Sequence, residues 1–364
     1  MIGCLPYLSD ERFRTIASHL SPAIIRVGGI TGDFVKYTEI PDSDNLTNTA
    51  NRAITSPHAT SRASTTERNI HAQTMGYWPT SEKNLSVSMF SQLTDFMAAS
   101  NMSLLFMLNE LHGRDCHTVK PGPPPAYGPN NAWCTGDWDT SNMKAFLQYL
   151  HDSKQVGGNA PTYAFELGNE LITHMSAETN VEDIKKAAGI IQSIWADTPV
   201  AQRPGLYAPS TDACWNDDQM QIMKNITGVT GVAGFTFHAY PGGGTYPGGP
   251  PFNLTHLILD PNWLANLFVA KAQPSQNCLD TWNGKDQDKN FPEKFPHASP
   301  RSSGLELLLT ESSSSYSWNL PPPAQDSFLH TLFTVAELGQ YATQGVGVVA
   351  RWAFSENSPF ATIR

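Results

Sequence analysis

Two glutamates of this 364-residue chain stand where apolar runs end. In Phe165-Glu166-Leu167-Gly168-Asn169-Glu170 an apolar segment runs directly into Asn169 and Glu170, and in Leu305-Glu306-Leu307-Leu308-Leu309-Thr310-Glu311 the most hydrophobic segment of the chain ends on Glu311. A pair of strand-end acids suits glycosidic bond cleavage, where one carboxylic acid protonates the leaving oxygen and a second carboxylate acts from the other face of the sugar. Each has a plainer reading: Glu170 could open the next helix, and Glu311 could cap one or sit in a loop. Asn169 can hydrogen-bond a sugar hydroxyl beside the acid, while Glu166 alternates away from Leu167 and reads as structural. His238 and Tyr240, two apart at the end of Gly234–Tyr240, share a direction on a strand. A Tyr hydroxyl there would donate to a carboxylate nucleophile and favour its charged form. A satisfied side chain at the rim is the competing reading.

Acids meet in one cavity only if strands bring them there. Short apolar runs rich in β-branched residues recur at 23–27, 104–108, 163–167, 205–208, 234–237, 305–309 and 346–350, and the stub 1–4 makes an eighth. Helical periodicity falls between them at 10–20, 87–99, 141–153, 181–196, 217–224, 261–270 and 324–342. Eight strands alternating with helices predict an α/β fold, a (β/α)8 TIM barrel, in which the C-terminal strand ends face one cavity. A doubly wound sheet is the competitor, but no Gly-x-Gly-x-x-Gly turn follows an early strand. The whole of 1–364 reads as one catalytic domain with two long loop insertions, 38–80 and 273–303, and both ends look truncated.

The net charge of -10 disfavours nucleic acid as a partner and argues against a heavily sulfated polymer. No apolar run is long enough to span a membrane, and no signal-peptide pattern opens the chain. Five Asn-x-Ser/Thr sequons, at Asn45, Asn84, Asn101, Asn225 and Asn253, permit a secreted, lysosomal, vacuolar or membrane-associated location for a full-length protein. Of five cysteines, Cys116 and Cys134 bracket a Pro- and Gly-rich loop and are the candidate disulfide, against five reduced thiols. His112-Gly113-Arg114-Asp115-Cys116-His117 lacks a recognised zinc spacing, so no metal is expected. No Gly-x-Ser-x-Gly elbow appears, and Ser312 to Ser315 reads as the loop after Glu311.

With these residues in place, the chain resembles glycoside hydrolase family 79, the heparanases and related β-glucuronidases. The similar segments are Leu20-Ser21-Pro22-Ala23-Ile24-Ile25-Arg26-Val27-Gly28-Gly29 with Thr31-Gly32-Asp33-Phe34, Leu104–Asn109, Phe165–Glu170, Thr310–Ser313 and Val348–Arg351. The resemblance implies a retaining mechanism with Glu170 as acid/base and Glu311 as nucleophile, no cofactor, and a β-linked glucuronic acid on an oligosaccharide or proteoglycan-type glycan. It places Asn169, His238 and Tyr240 at sugar-contacting or nucleophile-supporting positions, and Thr31, Asp33, Asn109 and Arg351 at motif positions near strand ends. Arg26 and Asp33 could instead form an internal ion pair. The family carries an accessory β-sandwich, most of which is expected to be lacking here. Leu171 replaces the Pro usual after Asn-Glu, and the basic clusters that hold sulfate in heparanase are not matched between Lys36 and Trp78. An endo-acting heparanase and a non-catalytic carbohydrate-binding protein or inactive fragment are the alternatives. Because Glu170 must begin protonated, an acidic optimum is expected.

Overall fold

The computed structural model describes residues 8–41, 83–118, 132–156, 162–171, 174–212, 217–240, 306–313, 328–344 and 346–351. In chain order these form α1 (Glu11–Ser18), β1 (Ile24–Val27), a 3-10 turn (Ile30–Phe34), β2 (Val35–Thr38), β3 (Lys83–Ser86), α2 (Val87–Ala99), β4 (Ser103–Leu108), β5 (Asp115–Thr118) and β6 (Ala132–Thr135). There follow α3 (Ser141–Asp152), β7 (Thr162–Leu167), α4 (Ala177–Ile194), a 3-10 turn (Val200–Gln202), β8 (Gly205–Asp212), α5 (Asp217–Ile226), β9 (Val232–Ala239), β10 (Glu306–Ser312), α6 (Phe328–Gln344) and β11 (Val348–Arg351). Three helices start where a side chain can satisfy free N–H groups of the first turn. Asp10 accepts from the N–H of Arg12 and Phe13, Ser86 from Met89 and Ser176 from Thr179.

Seven strands pair in parallel in the order β1-β4-β7-β8-β9-β10-β11, and the outer two, β1 and β11, come into contact with each other. The sheet is therefore a nearly closed barrel with helices outside it, the (β/α)8 type that the alternation of elements predicts. Period-two alternation divides its side chains: Leu104, Phe106 and Leu108 join the large outer core against the helices, while Leu105 faces inward. In that outer core Tyr37 stacks on Phe146 with centroids 4.0 Å apart, and Phe90 meets Phe106 edge to face at 4.9 Å.

Two pairings have no counterpart in the sequence reading. β2 and β3 form a parallel pair outside the barrel on either side of the first insertion, and β5 and β6 form an antiparallel hairpin. Each of these strands is only four residues long, too short to show a period. The stub 1–4, the helix expected at 261–270, the 273–303 insertion and nearly all of the 38–80 insertion lie outside the described residues.

Candidate active site

Inward-facing residues stack in tiers. Ile24, Leu105, Ala164, Tyr207, Leu308 and Val348 form an apolar tier. Two residues further along β1 and β7 the same alternation brings up Arg26 and Glu166. Arg26 Nε donates to Glu166 Oε2 at 2.5 Å, Nη1 to Glu311 Oε2 at 3.1 Å, and Nη2 to Asn169 Oδ1 at 2.9 Å and Ser210 Oγ at 2.8 Å. Glu166 is wholly buried. A planar guanidinium, with donors on three nitrogens, compensates a buried carboxylate and still reaches three further groups.

Glu311 enters this tier through an irregularity. Leu309 pairs with Phe237 and Glu311 with His238, the next residue of β9, while Leu309 pairs with Val349 and Ser312 with Arg351 on β11. β10 thus carries one residue more than either neighbour, a bulge at Thr310. Leu308 faces inward, so strict alternation would turn Thr310 inward and Glu311 towards the helices; the extra residue reverses that phase.

Glu170 is delivered differently. Gly168 and Glu170 take φ values of 67° and 56°, in the left-handed region, and the Glu170 N–H donates to the Ser210 carbonyl at 2.6 Å. Glycine is required at 168 for a second reason, since a Cβ there would overlap Glu110 Oε2. Glu110 is itself buried and accepts from Asn180 Nδ2 at 3.0 Å. Burial, with Asp183 and Asp33 nearby, holds the Glu110 carboxyl well above its ordinary range. Burial also lifts Asp183 to about 6, against the pull of Arg114, which donates to it.

His238 links the two acids. Its Nδ1 lies 2.7 Å from Glu170 Oε1 and 3.8 Å from Glu311 Oε2, and its Nε2 lies 3.2 Å from Ser210 Oγ. Because Ser210 Oγ accepts from Arg26, its own proton can go to His238 Nε2, which assigns the ring proton to Nδ1, facing Glu170. Tyr240 donates its hydroxyl to Glu311 Oε1. Burial, then the charges of Glu311 and Glu170, raise the Tyr240 pKa well above its ordinary value, so it stays a donor. One ligating atom each from Glu170, His238 and Glu311 lies within 4.8 Å of the others, a spacing that a cation could also use. Arg26 and Tyr240 already donate to the two oxygens of Glu311, so its charge is met without one.

The structure thus brings Asn169, Glu170, His238, Tyr240 and Glu311 together. Asp33 lies behind them and is buried; burial raises its pKa well above the ordinary range, with Arg26 opposing. It feels Arg26 without hydrogen-bonding to it, so the ion-pair expectation gives way to Arg26 pairing with Glu166 and Glu311. Asn109 is directed elsewhere: its Nδ2 donates to the Val35 carbonyl and its N–H to Tyr37 Oη at 3.1 Å, which fastens β2 to the barrel. Arg351 is half-buried, and its Nη1 donates to Thr334 Oγ1 on α6 at 3.1 Å. Three residues beyond inward-facing Val348, it faces the helix layer. The Thr31 side chain lies outside the described residues. Cys134 is disulfide-bonded, and Cys116 stands opposite it in the β5–β6 ladder. Ser210 and Glu110 carried no sequence signal of a role. Arg26 did, as a lone charge inside an apolar strand.

Comparison with known proteins followed these lines. The model described as "Glycosyl hydrolase family 79, N-terminal domain" matches residues 55–282, more than half of the chain. Heparanase-like protein 1 of Arabidopsis thaliana is 24% identical over 340 residues, covering 91% of this chain and 50% of that protein. Heparanase-like protein 2 of the same plant is 26% identical over 209 residues, covering 55% of this chain and 34% of that protein. The chain therefore spans half or less of the length of these relatives. Among solved structures, the GH51 arabinofuranosidase from Xanthomonas axonopodis pv. citri aligns with a TM-score of 0.51 at 13% identity, over 94% of this chain and 59% of its own, a likeness of fold.

Proposed function

Because the chain belongs to glycosyl hydrolase family 79, we propose that it is the catalytic barrel of a retaining glycoside hydrolase that cleaves β-linked glucuronic acid from oligosaccharide or proteoglycan-type glycans. The observation that carries the retaining mechanism is the approach of a Glu170 oxygen to a Glu311 oxygen within 4.8 Å. Inverting enzymes hold their carboxyl groups roughly 6.5–9.5 Å apart to admit a water, and retaining ones about 5–5.5 Å apart.

Glu311 attacks the anomeric carbon as the glycosidic C–O bond breaks, and Glu170 gives its proton to the departing oxygen. Glu170 then takes a proton from water, whose oxygen attacks the same carbon and releases Glu311. Arg26 and Tyr240 hold Glu311 in one orientation while leaving it a nucleophile. His238 positions Glu170 for both proton transfers. Asn169, with its Oδ1 held by Arg26, keeps its Nδ2 as a donor for a sugar hydroxyl.

The uronic acid assignment is supported by the heparanase-like names of the relatives. The net charge of -10 favours simple glucuronides over densely sulfated chains. Turnover of aryl β-glucuronide, set against other aryl glycosides, tests the substrate, and NMR of the first-formed anomer tests retention. Glu311→Ala is expected to abolish turnover and to be partly rescued by azide. Full activity in that variant would overturn the nucleophile assignment.

A further inference from the structure

The bulge at Thr310 turns Glu311 into the barrel, but it also interrupts the ladder at the residue before the nucleophile. A bulged residue has no ladder partner, and Thr310 Oγ1 is buried without a hydrogen bond. Across the bulge Glu311 keeps a ladder partner on β9, His238, but none on β11, where the pairing passes from Leu309–Val349 to Ser312–Arg351. One residue further on, Ser312 faces outward, fully buried, and its Oγ donates to Glu337 Oε1 on α6 at 2.5 Å. Glu337 is also buried. Among the described residues, Ser312 from β10, Arg351 from β11 and Tyr341 one turn along α6 are the polar or titratable groups that act on it.

We propose that Glu337 is a positioning residue for the nucleophile: through Ser312 it clamps the bulged end of β10 to α6 and so fixes the aim of Glu311. This rests on Glu311 being the nucleophile. A buried carboxyl on a helix is an expensive way to hold a strand that apolar packing would hold as well, and its acceptor oxygen meets the hydroxyl of the residue that follows Glu311. Burial pushes Glu337 up to about 7, with Ser312 and Arg351 opposing, so the clamp persists as a neutral acid over an acidic working range. A neutral acid and an amide present the same carbonyl acceptor to Ser312.

The test is covalent labelling by 2-deoxy-2-fluoro-β-glucuronosyl fluoride. Glu311 attacks C1, fluoride leaves with the bonding electrons, and no proton from Glu170 is needed, so the rate reads the nucleophile alone. Glu337→Leu is expected to lower the maximal labelling rate roughly 10- to 100-fold, the scale of a nucleophile slightly misplaced, while half-saturation changes by less than about threefold. Glu337→Gln, which keeps the acceptor, is expected to label close to the wild-type rate. Ser312→Ala removes one oxygen, keeps the fold within reach if Glu337→Leu does not, and is expected to match Glu337→Leu, with the double variant no slower than either single. Wild-type labelling rates in folded Ser312→Ala or Glu337→Leu overturn the clamp, as do multiplicative losses in the double variant. Wild-type protein left unlabelled at Glu311 in a peptide map overturns the nucleophile reading beneath it.

Discussion

Arg26→Met separates what holds the barrel together from what makes it act. The side chains of Arg26 and Glu166 are 6% and 0% exposed, so removing the cation strands a carboxylate that water cannot reach. Breaking a buried pair from one side costs about 3–5 kcal/mol, and Met, of similar length, leaves little cavity. Of the four lost hydrogen bonds, that to Ser210 begins the chain through His238 to Glu170, that to Asn169 holds the residue before Glu170, and a third aims Glu311. Turnover is therefore expected to fall by roughly 100-fold or more, the cost of misplacing reacting groups. Arg26→Met/Glu166→Gln removes the stranded charge along with its partner, so it is expected to recover about half or more of the lost stability and none of the activity. Urea unfolding followed by fluorescence and circular dichroism supplies the first quantity, and aryl glycoside turnover the second. A loss below about 1 kcal/mol in the single variant, or simple additivity in the double, would refute the reasoning.

Tyr240→Phe removes the donor to Glu311 Oε1 and is expected to lower kcat by about 10- to 100-fold, in line with about 1.5–3 kcal/mol for a charge-assisted hydrogen bond, with KM little changed; steady-state kinetics checks it. Gly168→Ala places a Cβ in the left-handed region and against Glu110, so a loss of about 2–4 kcal/mol is expected from backbone and packing together, measured by urea unfolding. Glu337 has its folded pKa raised from 4.5 to about 7. Its contribution to stability is therefore complete below pH 4.5 and declines as pH climbs to 7, at up to ~1.4 kcal/mol per unit. Glu110 and Asp183 shift in the same direction, so the measurement is the difference between wild type and Glu337→Gln; parallel stability curves would contradict it. Intact mass before and after reduction and alkylation, with peptide mapping, is expected to join Cys134 to Cys116.

The strands and their order were legible because buried parallel strands are continuous apolar runs, and the two acids because each terminates such a run. Arg351 shows where that reading stops. The resemblance put it at a motif position near a strand end, but it stands three residues beyond inward-facing Val348 and so turns towards the helices. Ser210 was hidden for a related reason, since it reaches the site from a segment of β8 whose pairing with β9 shifts between Ala208 and Thr211. Asn109 matched a motif position, yet its bond to Val35 depends on how β2 packs outside the barrel. Chemistry located the acids and the Tyr240 donor; three-dimensional register was needed to bring Ser210 and Arg26 to them.

The left-handed backbone at Glu170 sets stability against activity at a single position. A residue with a Cβ is held there at a cost of about 1–2 kcal/mol, whereas Gly bears none and Asn little. On the reading of Glu170 as the acid/base, function therefore opposes the preference of its own backbone. A duplicated copy released from turnover would drift first towards Gly or Asn at this position and would gain thermal resistance as it lost function.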